Sequence, residues 1–279
     1  MTIIGLTSAR SSPGITCLSV GLAAAARHRG QQSFLIEADP AGGVLGLRFS
    51  LVDRPSLTTF ASDVRREVHP RLLTVNTQEV LGVPTLLAPV DPFDTQRHVQ
   101  NSADSLIELL RTFEDTISFI DLGRVSNNSA SLHLASKCDL VLIGSRSTVE
   151  DVQATLFLLR VLESRGCESV ITVMRDLIHD RSEIEEMSSA TLLGHIPEAP
   201  RASAAFMGGR FTNRSLMRTE YWRAIDALFL TLSEFRPHNQ ASAPQPEPAA
   251  TASPPANVPP PPVFDQEATG PQQEAPSTW

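Results

Sequence analysis

Lysine is almost absent from this chain of 279 residues, in which Lys137 is the only lysine among 23 basic residues. Arginine supplies all the others. A site that needs a cation must therefore use a guanidinium group, which is not interchangeable with an ammonium group in size or geometry.

Long apolar runs and paired cysteines are also missing. No apolar run approaches the ~20 residues that span a bilayer, and no charged region precedes the first apolar stretch, so we predict neither a membrane-spanning helix nor a signal peptide. The three cysteines, Cys17, Cys138 and Cys167, are odd in number and lack metal-ligand spacing, which predicts reduced thiols rather than a disulfide framework or a zinc site. We therefore expect a cytoplasmic protein.

The composition divides the chain near residue 237. Residues 1–236 hold the apolar segments, and a hydrophobic content of 41% over the whole chain suffices for one globular domain. Residues 238–279 contain 11 prolines and four acidic residues but no lysine or arginine, so we predict that 237–279 is a disordered tail with polyproline II character. Val263, Phe264 and Trp279 offer docking points for an unidentified protein partner, and a plain solubilising tail is the alternative.

Strand-like and helix-like segments alternate through residues 1–236. This alternation predicts an α/β fold with a mostly parallel, twisted sheet that carries helices on both faces. We expect strands near residues 2–7, 34–37, 83–90, 117–123, 138–144, 169–176 and 192–197, and helices near 18–28, 104–113, 149–163 and 214–234.

A loop rich in serine joins the first strand to the first helix. Backbone N–H groups of such a loop and of the first helical turn point at one spot, where the helix dipole also favours an anion. Gly14 and Thr16 match the last glycine and the hydroxyl residue of the phosphate-binding motif G-x-x-x-x-G-K-[ST], but Ile15 stands where the motif has lysine. The loop therefore has the shape of a phosphate site without its usual cation.

Two aspartates follow buried strands further along the chain. Asp39 comes after segment 34–37, in the order Glu37-Ala38-Asp39-Pro40, and Asp121 ends the apolar segment 117–120. Such carboxylates can serve as Mg²⁺ ligands or orient a water molecule. The alternative is that each one merely caps a helix or ends a loop.

These three elements, in this order, resemble the ParA/MinD family of deviant Walker-type P-loop ATPases, and the resemblance covers residues 1 to about 236. It implies that Arg10 stands for the family's signature lysine, Ile15 for its second lysine and Thr16 for its Mg²⁺-binding threonine. The same resemblance places further residues in the loop that holds the nucleotide: Ser11, Ser12, Gly14 and Cys17.

The resemblance also assigns roles to residues at the strand ends. Asp39 corresponds to the aspartate that orients the attacking water, and Asp121 to the carboxylate that contacts Mg²⁺ through water. Met174 and Arg175 stand where the family has an asparagine that reads the adenine base, so Arg175 is the candidate contact to the base.

Ile15 and Met174 are departures from the family pattern at the nucleotide site. Losing the cation at position 15 removes a charge-assisted interaction worth roughly 1.5 to 3 kcal/mol in binding, and positioned charges carry most of phosphoryl-transfer catalysis. We therefore expect ATP and Mg²⁺ to bind weakly or not at all, with at most a slow ATPase activity in which Asp39 is vestigial or weak.

The resulting interpretation is a bacterial positioning or assembly factor that acts through dimerisation and partner binding. The resemblance implies a homodimer in which Arg10 crosses to the phosphates of the partner subunit. Chromosome or plasmid partition is one cargo, and placement of a pilus or secretion machine is another. The alternative is a genuine but slow ATPase switch that dimerises on ATP and binds DNA non-specifically.

Clustered arginines precede and enter the last predicted helix. Arg214 and Arg218 are four residues apart and would share one face of a helix over 214–234. Such a patch can contact DNA phosphates without sequence preference. A solvated helix face is the alternative, and the net charge of −8 favours it.

Overall fold

A sheet of eight strands organises the described part of the protein. The computed structural model describes residues 1–10, 14–126, 129–175, 181–188, 191–209 and 213–234, with the backbone alone for 181, 182, 187, 188, 213 and 214. The strands are β1 (Thr2–Ser8), β2 (Gln32–Glu37), β3 (Gln78–Val80), β4 (Val83–Leu86), β5 (Thr116–Arg124), β6 (Leu140–Ser145), β7 (Ser169–Met174) and β8 (Leu192–Ile196). Their order is β3-β4-β2-β5-β1-β6-β7-β8, and all neighbouring pairs except β3 and β4 are parallel.

Helices cover both faces of this sheet, as the alternating pattern predicts. They are α1 (Ile15–His28), α2 (Leu45–Arg48), α3 (Leu57–Asp63), α4 (Arg71–Asn76), α5 (Pro92–Leu110), α6 (Ala130–Ala135), α7 (Val149–Glu163), α8 (Arg181–Ser188), α9 (Pro200–Ala205), α10 (Asn213–Leu216) and α11 (Glu220–Glu234). One core lies between the sheet and helices α1, α9 and α11. The other lies between the sheet and helices α3, α5, α6 and α7.

Alternate residues of the central strands face opposite cores. Ile4 and Leu6 of β1 pack on the α1 side, whereas Ile3 packs on the α5 side. This alternation follows from the pleat of a β-strand, and burial on both faces explains the continuous apolar runs of the sequence. The register pairs Leu6 with Asp121 and Thr7 with Ile143, so the ends of β1, β5 and β6 meet at one edge.

Helix α1 packs along α11, the last helix described. A Cβ atom added to Gly21 would lie 2.7 Å from the Cδ1 atom of Ile225, which shows how closely the two backbones approach. Arg29 follows α1 and forms an ion pair of 2.7 Å with Asp226 of α11. The first and last helical segments of the described chain therefore stabilise each other.

The prediction of one helix over 214–234 is wrong. The chain forms the short helix α10 and then a turn, in which the N–H groups of Arg218 and Thr219 bond to the carbonyl groups of Ser215 and Leu216. The Thr219 hydroxyl then accepts the N–H group of Trp222 at 3.1 Å and caps α11. Since Arg214 belongs to α10 and Arg218 to the turn, the two do not share a helix face. The Arg214 side chain lies outside the described residues.

The segment between residues 45 and 80 contains elements that the sequence did not reveal. These are the short helices α2, α3 and α4 and the edge strand β3. A helix of four to seven residues shows too few turns for an apolar period to be recognised. The predicted tail 237–279 lies outside the described residues. Among the helices that are described, none is both long and apolar enough to cross a membrane.

Candidate functional site

The loop between β1 and α1 ends at Gly14, which has a left-handed backbone with φ of 111°. Such a conformation favours glycine because it lacks a Cβ atom. No side chain among the described residues caps the start of α1, and its first turn carries no acidic residue. The free N–H groups and the positive end of the helix dipole therefore remain available to an anion.

Asp121 lies next to this helix start and is completely buried. Its Oδ1 atom accepts the N–H group of Gly123 at 3.0 Å, whereas its Oδ2 atom has no hydrogen-bond partner among the described residues. Burial raises the pKa of Asp121 to about 7, against the opposing effect of the neighbouring Thr16 hydroxyl group. A buried carboxylate oxygen without a partner, beside a threonine hydroxyl, is the donor set that Mg²⁺ prefers.

Ser8 provides a second buried oxygen without a partner. It ends β1 and is 1% exposed, and the alternation along the strand assigns it to the face of Ile4 and Leu6, which pack on the α1 side. Its Oγ atom has no hydrogen-bond partner among the described residues. Buried hydroxyl groups are nearly always hydrogen-bonded in proteins, so this atom also points to a ligand at the start of α1. Sequence analysis missed Ser8 because an orphaned hydroxyl group has no sequence signature.

Asp39 lies directly over Gly123 at the end of β5. Its Oδ1 atom accepts the N–H group of Ala41 at 2.8 Å. Burial raises the pKa of Asp39, while the positive charge of Arg124 opposes the shift. A Cβ atom added to Gly123 would lie 2.1 to 2.5 Å from the carboxyl group of Asp39. The glycine therefore makes room for this carboxylate next to the strand that carries Asp121.

Replacing Gly123 by alanine is expected to displace Asp39 and to destabilise the protein. The left-handed backbone of Gly123 (φ of 58°) adds strain to the steric clash, so we expect a loss of roughly 2 to 5 kcal/mol in unfolding free energy. Gly166→Ala is the matched control, because Gly166 has φ of 73° but open space around its Cα atom. Urea unfolding measures both variants, and equal losses would contradict the contact with Asp39.

Glu37 has a structural role in this site. It is 1% exposed, and its two carboxylate oxygens accept three backbone N–H groups, from Val44 at 2.6 Å, Leu45 at 2.9 Å and Ala88 at 3.0 Å. Burial raises its pKa, and these three hydrogen bonds oppose the shift. Glu37 thus joins the segment that follows Asp39 to the loop after β4.

Ile15 is directed into the core and away from the loop. It is 3% exposed, and a Cβ atom added to Gly144 of β6 would lie 2.4 Å from its Cδ1 atom and 3.3 Å from the Cγ atom of Met174. The same glycine therefore touches both residues that depart from the family pattern. Ile15 and Met174 therefore both pack against Gly144, beneath the start of α1.

A cavity of about 340 Å³ opens beside Gly14, between the ends of β7 and β8. Arg175 and Glu198 form an ion pair of 3.5 Å at its wall, and each side chain is 43% exposed. Arg175 has φ of 72°, and its N–H group bonds to the carbonyl group of Ile196 at 2.8 Å, so the turn after β7 fixes its position. The cavity has the size and position for a base or ribose next to the phosphate loop.

Cys17 faces the last helices of the described chain. Its Sγ atom lies 3.1 Å from the hydroxyl group of Tyr221 and 3.5 Å from the carbonyl oxygen of Ser203. Burial raises the pKa of Cys17 to about 11, so the thiol stays protonated at neutral pH. Cys17 also lines the cavity beside Gly14, where it contributes an uncharged wall.

The structure brings together most of the predicted site. Gly14, Thr16, Asp39 and Asp121 lie around the start of α1, and Cys17 and Arg175 lie at the adjacent cavity. Arg10 is exposed at the end of β1. Ser11 and Ser12 lie outside the described residues.

A mostly parallel sheet with a glycine-ended loop between β1 and α1, and a buried aspartate on the neighbouring strand β5, is the arrangement of a P-loop fold. No family model matches the chain, and no curated protein matches it. Solved structures with a similar fold identify it more specifically as ParA/MinD-like.

Three of these structures illustrate the likeness. A ParA family ATPase from Chlorobium tepidum TLS is 16% identical, with a TM-score of 0.69, over 82% of this chain and 98% of that one. MinD from Pyrococcus horikoshii OT3, complexed with Mg-ADP, is 16% identical, with a TM-score of 0.68, over 84% of this chain and 96% of that one. A chain of the MinC:MinD cell division protein complex of Aquifex aeolicus is 17% identical, with a TM-score of 0.66, over 85% of this chain and 97% of that one.

Proposed function

We propose that this protein is a ParA/MinD-like positioning or assembly factor in which nucleotide binding is weakened and hydrolysis is slow or absent. The observation that carries the proposal is the burial of Ile15 against Gly144 and Met174. An apolar side chain fixed in the core gives no charge to a phosphate. Its position on the first residue of α1 is the one where a lysine would contact the outer phosphates.

The rest of the site supports weak binding rather than none. Thr16 and Asp121 fit Mg²⁺, since the Asp121 Oδ2 atom is buried without a partner, and the N–H groups at the start of α1 fit phosphate oxygens. A bound Mg²⁺ would neutralise charge on the phosphates and on Asp121. The missing cation costs roughly 1.5 to 3 kcal/mol, which lowers affinity without abolishing the site.

We propose that the protein works as a homodimer that binds a partner protein. Arg10 is exposed at the edge that carries the nucleotide site, where it can contact the phosphates of a second subunit. MinD in the Aquifex aeolicus structure is complexed with MinC, and we infer that a protein partner is the cargo or its adaptor here as well. Partition of DNA and placement of a pilus or secretion machine both fit such a factor.

Sedimentation velocity of the full chain tests this proposal. We expect a dimer without nucleotide and only a small increase in its fraction on adding ATP and Mg²⁺, together with little or no phosphate release in a turnover assay. The Arg10→Ala variant should lower the dimer fraction only in the presence of nucleotide. A dimer that forms solely with ATP, or robust turnover, would overturn the proposal.

A slow ATPase switch is the second candidate, and the retained Asp39 and Asp121 favour it. Asp39 is held over Gly123 by the N–H group of Ala41, at the place where a water molecule could be oriented. This candidate includes non-specific DNA binding through Arg218, which is exposed, and through Arg214. The same sedimentation runs distinguish it, since a switch would dimerise with ATP and then bind a short DNA duplex at low salt.

A further inference from the structure

Arg146 directly follows β6, the strand that pairs with β1 beside the phosphate loop. Because Thr7 pairs with Ile143, the ends of β1 and β6 lie side by side at the edge where the loop begins. Arg146 therefore follows the strand next to β1, at the same edge of the sheet as the loop, although it is distant from the loop in sequence.

Side chains alternate along β6, which ends at Ser145, one residue before Arg146. Leu140 and Leu142 pack in the core on the α1 side, and Gly144 touches Ile15 on that same side. Successive residues of a strand point to opposite faces. If the alternation is carried one residue past the end of the strand, the position after Gly144 on the α1 side is Arg146.

The guanidinium group of Arg146 has an unused donor. Its Nε atom is buried and has no hydrogen-bond partner among the described residues. A buried donor without a partner is costly, and arginine presents its N–H groups as a fork that matches phosphate oxygens. Within the described residues, Arg146 also forms no ion pair, whereas Arg175 on the other side of the loop is paired with Glu198.

Ser8 supplies independent support for a ligand at this position. It lies on the α1 side of β1, opposite Gly144 in the extended register, and its buried Oγ atom also lacks a partner among the described residues. The ends of two neighbouring strands therefore each carry one unsatisfied polar group, at the sheet edge where the loop to α1 begins, and the dipole of that helix favours an anion.

We propose that Arg146 is a phosphate-binding residue that compensates in part, from the neighbouring strand, for the cation missing at position 15. Its guanidinium group contacts the phosphate chain bound at the start of α1, and the Ser8 hydroxyl group donates a further hydrogen bond. Ile15 fills the space beside Gly144, and the guanidinium group of Arg146, two residues further along the chain, provides a positive charge. This inference rests on the nucleotide-binding part of the function proposed above.

Isothermal titration calorimetry of the full chain with inorganic tripolyphosphate and with ATP, each with Mg²⁺, tests the role of Arg146. The Arg146→Ala variant should lose roughly ten- to hundredfold in affinity for both ligands, as expected for a charge-assisted contact. Arg146→Lys should recover part of the affinity. Arg160→Ala is the matched control, since Arg160 is exposed on α7, and it should bind like the unmodified protein.

Thermal melts of all variants without ligand separate a loss of binding from a loss of folding. If Arg146→Ala melts like the unmodified protein and binds tripolyphosphate equally well, the role of Arg146 is refuted while the nucleotide site stands. If the unmodified protein binds neither ligand at millimolar concentration, Arg146 has no such role. Dimerisation without nucleotide, measured independently by sedimentation, would then still support an assembly factor.

Discussion

Replacing Ile15 with lysine is expected to raise the affinity for ATP and Mg²⁺ by roughly ten- to hundredfold, the range of one charge-assisted contact. The position opens α1, where a charged side chain can turn toward the phosphates. A lysine left in the core between Gly144 and Met174 would bury an unpaired charge, which is strongly unfavourable. The side chain is therefore expected to leave the core for the loop.

The same substitution should destabilise the protein in the absence of nucleotide. Vacating the buried position of Ile15 creates a cavity, for which we expect a loss of about 2 to 5 kcal/mol in unfolding free energy. Saturating nucleotide should restore part of this loss through linked binding.

Ile15→Met is the matched control for both effects, because it alters packing without adding charge. Calorimetry with ATP and Mg²⁺, and urea unfolding with and without the nucleotide, measure them. Equal affinities of the lysine and methionine variants would show that a cation at position 15 does not reach the ligand.

Replacing Asp121 with asparagine is expected to change how stability depends on pH in the absence of Mg²⁺. Burial raises the pKa of Asp121 from its usual value of 3.8 to about 7. Between these values the native carboxyl group keeps a proton that the unfolded chain releases, so the unfolding free energy falls as pH rises from about 4 to about 7. The shift of about three pKa units corresponds to a loss on the order of 4 kcal/mol.

The asparagine variant should lack this contribution. Its stability relative to the unmodified protein should rise steadily between about pH 4 and 7 and stay level above that. Glu37 and Asp39 titrate in both proteins, and their charges raise the pKa of Asp121 further, so only the difference between the two unfolding curves is interpreted.

Magnesium and nucleotide provide a second readout for Asp121. They should raise the melting temperature of the unmodified protein more than that of the asparagine variant, because an amide is a weaker Mg²⁺ ligand than a carboxylate. A pH-independent stability difference, together with equal thermal shifts, would contradict both the buried charge and its role toward the metal.

The sequence predicts the sheet and its main helices well where an element is long and apolar. The helix predicted over 149–163 is found at Val149–Glu163, and the predicted order of strand, loop and helix at the start of the chain is confirmed. These elements are buried on both faces or along one wide face, so their apolar pattern is continuous. Asp39 follows the end of β2 as predicted, whereas Asp121 lies inside β5, which continues to Arg124.

Long-range contacts could not be predicted in the same way. The apolar contact of Ile15 with Met174 through Gly144 joins three segments that are far apart in the chain. The unsatisfied atoms of Ser8 and Arg146 are recognised only when neighbouring strands are in register. The prediction of one helix over 214–234 is wrong because the Thr219 hydroxyl group caps α11 and so marks the start of a separate helix.

The packing of α1 against α11 has a consequence for synthesis on the ribosome. The apolar face of α1 is translated within the first 28 residues, but Ile225 and Asp226, which contact Gly21 and Arg29, are made only near the end of the described chain. During the intervening elongation the part of α1 that packs against α11 has no final partner, so the nascent chain exposes apolar surface that chaperones recognise. A chain that stops before residue 220 should therefore aggregate rather than fold.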